Sequence, residues 1–90
     1  MLSKTVKVIN PLGLHARAAA NLVRLAAGFQ SEINLKRTDN QVVADAKSIL
    51  SILTLAAAQG TELEVEIVGT DEQQVMKEIE SIFANGFGEI

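Results

Sequence analysis

Apolar and polar residues follow two periodicities along the chain, and together they predict a mixed α and β protein. Alternation, which is typical of a strand with one buried face, occurs in three short segments. A fourth segment follows the predicted turn Thr38-Asp39-Asn40 and is expected to be the return strand of a hairpin. The predicted strands are 5–9, 32–37, 41–44 and 61–67. Apolar residues at helical spacing occupy three longer segments. The predicted helices are 16–27, 47–58 and 71–84.

Each predicted strand has a single apolar face that another element has to cover. The strand at 61–67 shows this most clearly, because Leu63, Val65 and Ile67 alternate with glutamates. The order βαββαβα therefore predicts a two-layer α+β sandwich, with helices on one face of the sheet and solvent on the other.

The first predicted helix separates a polar side from an apolar side. Arg17, Asn21 and Arg24 share the polar side, and Arg17 is expected to point into solvent near the start of the helix. The residues predicted to face the core are Ala16, Ala19, Ala20, Val23, Ala26 and Ala27.

The third predicted helix starts with a capping-box pattern, in which Thr70 is followed three residues later by Gln73. Its predicted buried stripe is Val75, Met76, Ile79, Ile82 and Phe83. Asn85-Gly86 ends the helix, and 87–90 is expected to be a short tail.

Composition narrows the classes of function. Ninety residues suit one domain, predicted to span 1–90. With no cysteine and a single histidine, the chain offers few ligands for a metal, so neither a metal nor another cofactor is expected. The absence of cysteine also suits a reducing cytoplasm. Neither a signal peptide nor a membrane-spanning segment is visible in the sequence.

Charge is unevenly distributed along the chain. Seven of the eight Lys and Arg residues lie within 1–60, and eight of the eleven Asp and Glu residues lie within 61–90. The basic part contains His15, so an acidic protein or a phosphate group can approach that end. Nucleic acid is a poor candidate partner, because phenylalanine is the only aromatic residue type and there is no Lys/Arg cluster.

His15 is the strongest candidate for chemistry. It lies in Gly13-Leu14-His15-Ala16-Arg17, directly before the first predicted helix. Unpaired N–H groups at a helix start bind anions, phosphate included. They also disfavour a protonated imidazole, which favours the nucleophilic form. Arg17 can add a charge-assisted contact to phosphoryl oxygens, so these residues predict a reversible phosphoryl-accepting site.

Plainer explanations fit the same residues. A single histidine in a surface loop is commonly a solvated side chain or a loose helix cap. A single arginine on a helix is commonly an exposed charge. The local pattern does not by itself name a reaction.

A longer segment resembles a known family. Asn10-Pro11-Leu12-Gly13-Leu14-His15-Ala16-Arg17 closely resembles the active-site segment of the HPr family, the histidine-containing phosphocarriers of the bacterial phosphotransferase system. Lys47-Ser48-Ile49-Leu50 resembles the family's regulatory serine segment, and Gly86-Phe87-Gly88-Glu89 resembles its C-terminal ending. The likeness covers essentially the whole chain.

The resemblance implies a fold and a role. The fold is the open-faced HPr sandwich, a four-stranded antiparallel sheet covered on one face by three helices. His15 matches the histidine that takes a phosphoryl group on Nδ1 from enzyme I, which phosphoenolpyruvate charges, and passes it to an EIIA protein. Arg17 and the amides of Ala16 and Arg17 are expected to hold the phosphate. Such a protein is a carrier rather than an enzyme, and it is expected to be a cytoplasmic monomer.

Ser48 matches the serine that HPr kinase/phosphorylase modifies in an ATP-dependent regulatory reaction. The same residue suits the N-cap of the second predicted helix, so a structural role explains it equally well. A phosphate at Ser48 would add negative charge to a surface that meets an acidic partner, and would weaken docking.

The second predicted helix is apolar on more sides than one core can bury. Burial on two sides is one explanation. The resemblance instead implies that Ile52 and Leu55 are core, and that an exposed patch beside the active site binds partners. The residues expected in this docking role are Ile49, Leu50 and Leu53, with Arg24 and Lys47 steering acidic partners.

The sequence departs from the family pattern at one position and leaves other functions open. Ala18 replaces the proline that commonly follows the arginine, and alanine fixes the helix start less firmly. The form His-Ala-Arg-Ala-Ala is more similar to nitrogen-branch relatives than to sugar-transport HPr. A mainly regulatory relative acting through Ser48 and docking is one alternative. An unrelated small α/β module, in which His15 is incidental, is another.

Overall fold

The chain contains four strands and three helices, and they follow one another in the predicted order βαββαβα. The computed structural model describes residues 1–89; Ile90, the end of the predicted tail, lies outside them. The strands are β1 (Leu2–Lys7), β2 (Glu32–Arg37), β3 (Val43–Asp45) and β4 (Glu62–Val68). The helices are α1 (Ala16–Ala27), α2 (Ile49–Leu53) and α3 (Glu72–Ala84), followed by a 3-10 turn at Gly86–Gly88. Among these residues no helix is long and apolar enough to span a bilayer.

The strands form one antiparallel sheet in the order β1-β4-β2-β3. The sheet face under the helices is apolar, and its fully buried residues include Ile33, Leu35, Leu63, Val65 and Ile67. The other face is polar and carries an ion pair between Lys36 and Glu64, with Nζ and Oε1 3.1 Å apart. The predicted open-faced α+β sandwich is therefore confirmed.

β1 starts earlier than its sequence pattern indicates. The strand was predicted over 5–9, but its pairing with β4 runs from Leu2 opposite Ile67 to Lys7 opposite Glu62. Pairing continues for one more hydrogen bond, from the Val8 N–H to the Thr61 carbonyl oxygen at 2.9 Å. The polar stretch Ser3-Lys4 joins the strand because β4 offers it backbone partners, which local alternation does not reveal.

α1 has the predicted bounds, but part of its predicted core face is wrong. The residues that are buried are Ala18, Ala19, Leu22 and Ala26. Ala16 and Ala27 are exposed, because the side of the helix that turns towards the core is the one that carries Leu22. Arg17 is exposed, as predicted.

α2 is much shorter than the predicted segment 47–58. It ends at Leu53, and Ala56 adopts a left-handed conformation with φ +48°. The carbonyl oxygens after the helix have distant partners. Those of Leu55 and Ala56 accept from Nη1 of Arg37 at 2.8 and 3.2 Å. These long-range hydrogen bonds replace the helical pattern that the local residues favour.

α3 does not use the predicted capping box. Its N-cap is Asp71 rather than Thr70. The Asp71 carboxylate accepts hydrogen bonds from the N–H groups of Gln30 and Ser31, at 2.8 and 3.0 Å, and from the Ser31 hydroxyl. The helix start is therefore joined to the start of β2 across the fold. Of the predicted buried stripe, only Ile82 is partly exposed.

The predicted tail after α3 is an ordered turn. Phe87 is buried in the core and packs edge-on against Phe83, with ring centroids 5.0 Å apart. The N–H of Glu89 donates to the Gly86 carbonyl oxygen at 3.0 Å. Because Phe87 is anchored in the core, the backbone that carries Glu89 has a fixed position.

Candidate functional site

A tight loop places His15 at the start of α1. The Gly13 N–H donates to the Asn10 carbonyl oxygen at 3.0 Å, and the Leu14 N–H donates to the Ala57 carbonyl oxygen at 2.9 Å. Gly13 has φ +68°, and a Cβ atom there would lie 2.5 Å from the Ala57 oxygen. Only glycine fits this left-handed position and this close approach.

His15 is the N-cap residue of α1, with φ −73° and ψ 178°. Its backbone carbonyl accepts from Ala19 N–H at 2.9 Å, which is the first helical hydrogen bond. Its side chain does not cap the helix, and a quarter of it is exposed. The N–H groups of the first turn, at Ala16 and Arg17, have no acceptor within the helix. The predicted placement of the ring beside a helix start is therefore what the structure contains.

The imidazole has one strong polar partner. Nε2 of His15 lies 2.7 Å from Oε2 of Glu89. The other carboxylate oxygen of Glu89, Oε1, accepts from Nδ2 of Asn10 at 2.8 Å, and the same nitrogen donates to the Gly13 carbonyl oxygen at 2.8 Å. Asn10 is fully buried. A buried amide thus connects the loop, the carboxylate and the ring.

The electrostatics of this contact keep Glu89 ionised. The hydrogen bond from Asn10 is the main cause that lowers the pKa of the Glu89 carboxyl, and burial opposes it. The hydrogen bond with His15 and the charges of His15 and Arg17 lower this pKa further. An ionised carboxylate only accepts hydrogen bonds, so when the ring is neutral Nε2 is the nitrogen that has to carry the proton for this contact, which leaves Nδ1 with its lone pair.

Arg17 and Ser48 each lie at the start of a helix, as the sequence predicts. Arg17 is exposed on the first turn of α1. Ser48 is the N-cap of α2, and its Oγ accepts from the Ser51 N–H at 3.2 Å. The structural role of Ser48 as a cap is therefore present.

The apolar side chains of α2, together with Leu55 just after it, are buried or exposed as the resemblance implies. Ile52 and Leu55 are buried, whereas Ile49, Leu50 and Leu53 are 40, 78 and 37% exposed. We call these three side chains the α2 patch. The helix packs against α1, which carries His15 at its start.

Arg24 and Lys47, the two basic residues expected to attract acidic partners, are exposed and donate hydrogen bonds to neighbouring residues. Nζ of Lys47 donates to the Phe29 carbonyl oxygen at 2.9 Å. The Arg24 guanidinium donates to Oδ1 of Asn21. Both side chains remain at the surface next to α1 and α2.

Sequence reasoning missed three residues near the ring. Asn10 and Glu89 bind each other although seventy-nine positions separate them, and no local pattern predicts that contact. Leu12 is 69% exposed, and it lines a shallow cleft beside His15 together with Leu14 and 56–58. The signals in the sequence were the likeness of the segment from Asn10 to Arg17 to the family's active-site segment and the likeness of Gly86-Phe87-Gly88-Glu89 to the family ending, and neither names a contact between them.

Comparison with known proteins identifies the class. The family model described as the PTS HPr component phosphorylation site matches residues 2–85. With the open-faced sandwich and the histidine at a helix start, this match defines a phosphocarrier of the phosphotransferase system. The chain belongs to the HPr family.

Similar relatives and structures cover nearly all of the chain. It is 45% identical over 89 residues to phosphocarrier protein HPr of Cupriavidus necator, covering 99% of this chain and 98% of that protein. It is 38% identical to phosphocarrier protein NPr of Escherichia coli, covering 98% and 97%. The crystal structure of HPr from Thermoanaerobacter tengcongensis superposes with a TM-score of 0.92 at 33% identity, covering 100% and 99% of the two chains.

Proposed function

We propose that this phosphocarrier accepts a phosphoryl group on Nδ1 of His15 and passes it on. The observation that carries the proposal is the contact between Nε2 of His15 and Glu89 at 2.7 Å. This contact occupies one ring nitrogen and leaves the other with a free lone pair at the start of α1. Family membership supports the reaction class, and the geometry supports the atom.

The transfer step balances without another reactant. The Nδ1 lone pair attacks phosphorus, and the N–P bond forms as the bond from phosphorus to the donor breaks, its electron pair leaving with the donor. Nε2 keeps its proton, so the phosphorylated ring gains a positive charge beside Glu89. The phosphoryl oxygens accept from the N–H groups of Ala16 and Arg17 and from the Arg17 guanidinium. Transfer to the next protein reverses these steps.

The proposed donor is enzyme I, and the proposed acceptors are EIIA proteins. The α2 patch supplies apolar contact area beside the active site, and an exposed apolar cluster of this kind marks an interaction surface. Arg24 and Lys47 add positive charge next to it, which favours acidic partners. We expect the carrier to work as a monomer in the cytoplasm.

Ser48 is a proposed regulatory site for an HPr kinase/phosphorylase. Its side chain is partly exposed at the end of α2 that precedes the patch. A phosphate there would carry nearly two negative charges into a surface meant for acidic partners, which would weaken docking.

A mainly regulatory role is the second candidate. The chain is 31% identical, with a TM-score of 0.73, to Crh of Bacillus subtilis, which is described as a catabolite repression protein that forms a dimer by swapping a domain. In this alternative, Ser48 and the α2 patch act without phosphoryl transfer. The site around His15 favours the carrier.

The proposed function is tested with purified enzyme I and phosphoenolpyruvate. The native chain should take up one acid-labile phosphoryl group and His15→Ala should take up none. The labelled protein is then offered to sugar-type and nitrogen-type EIIA proteins, which separates the two branches. Labelling of His15→Ala equal to that of the native chain would show that another residue is the acceptor.

Arg17→Ala is the matched second variant. Because Arg17 is exposed, its loss should slow labelling while the unfolding midpoint stays unchanged. Unfolding of this variant would show instead that Arg17 has a structural role.

A further inference from the structure

Glu89 is the one carboxylate in direct contact with the candidate acceptor within residues 1–89. Only 14% of its side chain is exposed, against 25% for His15. Both of its oxygens are used, one by the ring and the other by Asn10. A carboxylate on a solvated tail would have no such fixed partners.

The hydrogen bonds around Asn10 determine that its side-chain NH₂ group, and not its oxygen, faces Glu89. Its Nδ2 lies 2.8 Å from both the Glu89 carboxylate and the Gly13 carbonyl oxygen, and each of these can only accept. Reversing the amide would place its oxygen against two acceptors. Asn10 therefore donates to Oε1, and Oε2 is left for the ring.

The backbone of Glu89 is as constrained as its side chain. The turn at Gly86–Gly88 follows α3 directly, and Phe87 within it is buried against Phe83. Glu89 is thus attached to the core on one side and to the His15 loop on the other. The charged groups that act on it are His15 and Arg17.

We propose that Glu89 is a positioning residue for phosphoryl transfer through His15. It keeps the proton of the neutral ring on Nε2, so that Nδ1 is the nucleophile, and it compensates the positive charge that the ring gains on phosphorylation. This inference rests on the function proposed above. Carboxylates that bind the second nitrogen of a functional histidine fix its tautomer and orientation in the same way.

The substitution Glu89→Gln removes one of the two acceptor oxygens that Asn10 and His15 use. A glutamine side chain has one carbonyl oxygen and one NH₂ group, so it cannot accept from Asn10 and His15 with separate oxygens, and it carries no charge. Glu89→Gln should therefore lose one of the two contacts and the compensation of the ring charge. The size of the side chain is unchanged.

The first measurement needs no partner protein. Nitrogen-15 NMR of the histidine ring in mildly alkaline solution reports which nitrogen carries the proton. In the native chain, Nε2 should carry it almost entirely, and the fraction with the proton on Nδ1 should rise severalfold in Glu89→Gln. A native ring with its proton mainly on Nδ1 would overturn the proposal, whatever the variant does.

The second measurement is the rate of labelling by enzyme I and phosphoenolpyruvate. Glu89→Gln should be labelled about tenfold more slowly, the effect expected when a charge-assisted hydrogen bond is lost. Glu32→Gln is the matched control, because Glu32 is exposed and pairs with Val68 at the far end of the sheet. It should behave as the native chain does.

The two proposals fail in different ways. No labelling of the native chain would contradict the phosphocarrier function, while the NMR measurement would still report the effect of Glu89 on the ring. Normal labelling of the native chain, with an equal rate and an unchanged proton position in Glu89→Gln, would overturn the role of Glu89 alone.

Discussion

The backbone N–H of Leu14 donates to the carbonyl oxygen of Ala57 at 2.9 Å. This hydrogen bond attaches the loop that carries His15 to the segment that follows α2. It requires the two backbones to approach closely at Gly13, where a Cβ atom would lie 2.5 Å from the same oxygen. The position of the ring therefore depends on a residue without a side chain.

Gly13→Ala should destabilise the fold and displace the loop. The left-handed backbone costs a non-glycine residue about 1–2 kcal/mol, and the overlap with Ala57 should raise the total loss of unfolding free energy to about 3 kcal/mol. Gly60→Ala is the control, because Gly60 has φ +94° with no atom within 4 Å of a Cβ. Urea unfolding should show a loss of about 1 kcal/mol for Gly60→Ala. Equal losses for the two variants would show that the close approach at Gly13 is not tight.

Asp71 should make the free energy of unfolding depend on pH in acidic solution. The hydrogen bond from the Ser31 hydroxyl, with those from Gln30 and Ser31 N–H groups, lowers the pKa of Asp71. A pKa that is lower in the folded state stabilises the protein above the unfolded value of about 3.9, and this stabilisation is lost as the pH falls through the folded value. The urea concentration at the unfolding midpoint should therefore decrease as the pH is lowered through this range.

Asp71→Asn tests the source of that decline. The variant should be less stable than the native chain at neutral pH, because an amide oxygen cannot replace both carboxylate oxygens, and its midpoint should fall less steeply in acid. Glu64 and Asp39, whose pKa values are lowered by hydrogen bonds from Lys36 and Arg37, keep part of the slope in both proteins. An acid slope in Asp71→Asn as steep as the native one would exclude the contribution of Asp71.

Substitutions at Ser48 should separate its capping role from the effect of charge. Ser48→Ala loses the hydrogen bond to the Ser51 N–H and should lose about 1 kcal/mol of unfolding free energy. Ser48→Asp keeps a good capping oxygen, so helicity and stability should stay close to native, while its negative charge should weaken binding to enzyme I. Titration calorimetry checks the affinity. Native affinity in Ser48→Asp, or weak binding in Ser48→Ala alone, would argue against a charge switch.

Leu50→Ala should weaken docking without affecting the fold. Leu50 is 78% exposed, so the unfolding free energy should change by no more than about 0.5 kcal/mol. If the α2 patch contacts enzyme I, the dissociation constant should rise about tenfold. Val68→Ala provides the control, because Val68 is an exposed apolar residue at the end of β4, on the face of the sheet away from the helices. Similar affinities for the two variants would place the docking surface elsewhere.

The sequence predicted those elements whose own residues follow a clear periodicity. β4 has strict alternation and α1 has a clear polar side, so the inward residues of β4 and both bounds of α1 were correct. The exposed position of Arg17 and the start of α1 at His15 followed from the same local pattern.

The remainder depended on contacts between distant residues. Residues 54–58 favour a helix locally, but Arg37 and Leu14 bind their carbonyl oxygens and stop α2 early. Glu89 belongs to the site only because Phe87 enters the core and Asn10 donates to its carboxylate. Periodicity describes one element at a time, so it predicts neither of these arrangements.

The most direct test of the proposed chemistry is to locate the phosphorus on the ring. After labelling with enzyme I and phosphoenolpyruvate, NMR of nitrogen-15 histidine resolves which ring nitrogen is coupled to phosphorus. The contact between Nε2 and Glu89 predicts phosphorus on Nδ1 of His15, with a proton still on Nε2. Phosphorus on Nε2 would contradict the proposed transfer, because it would require the bond to Glu89 to be broken.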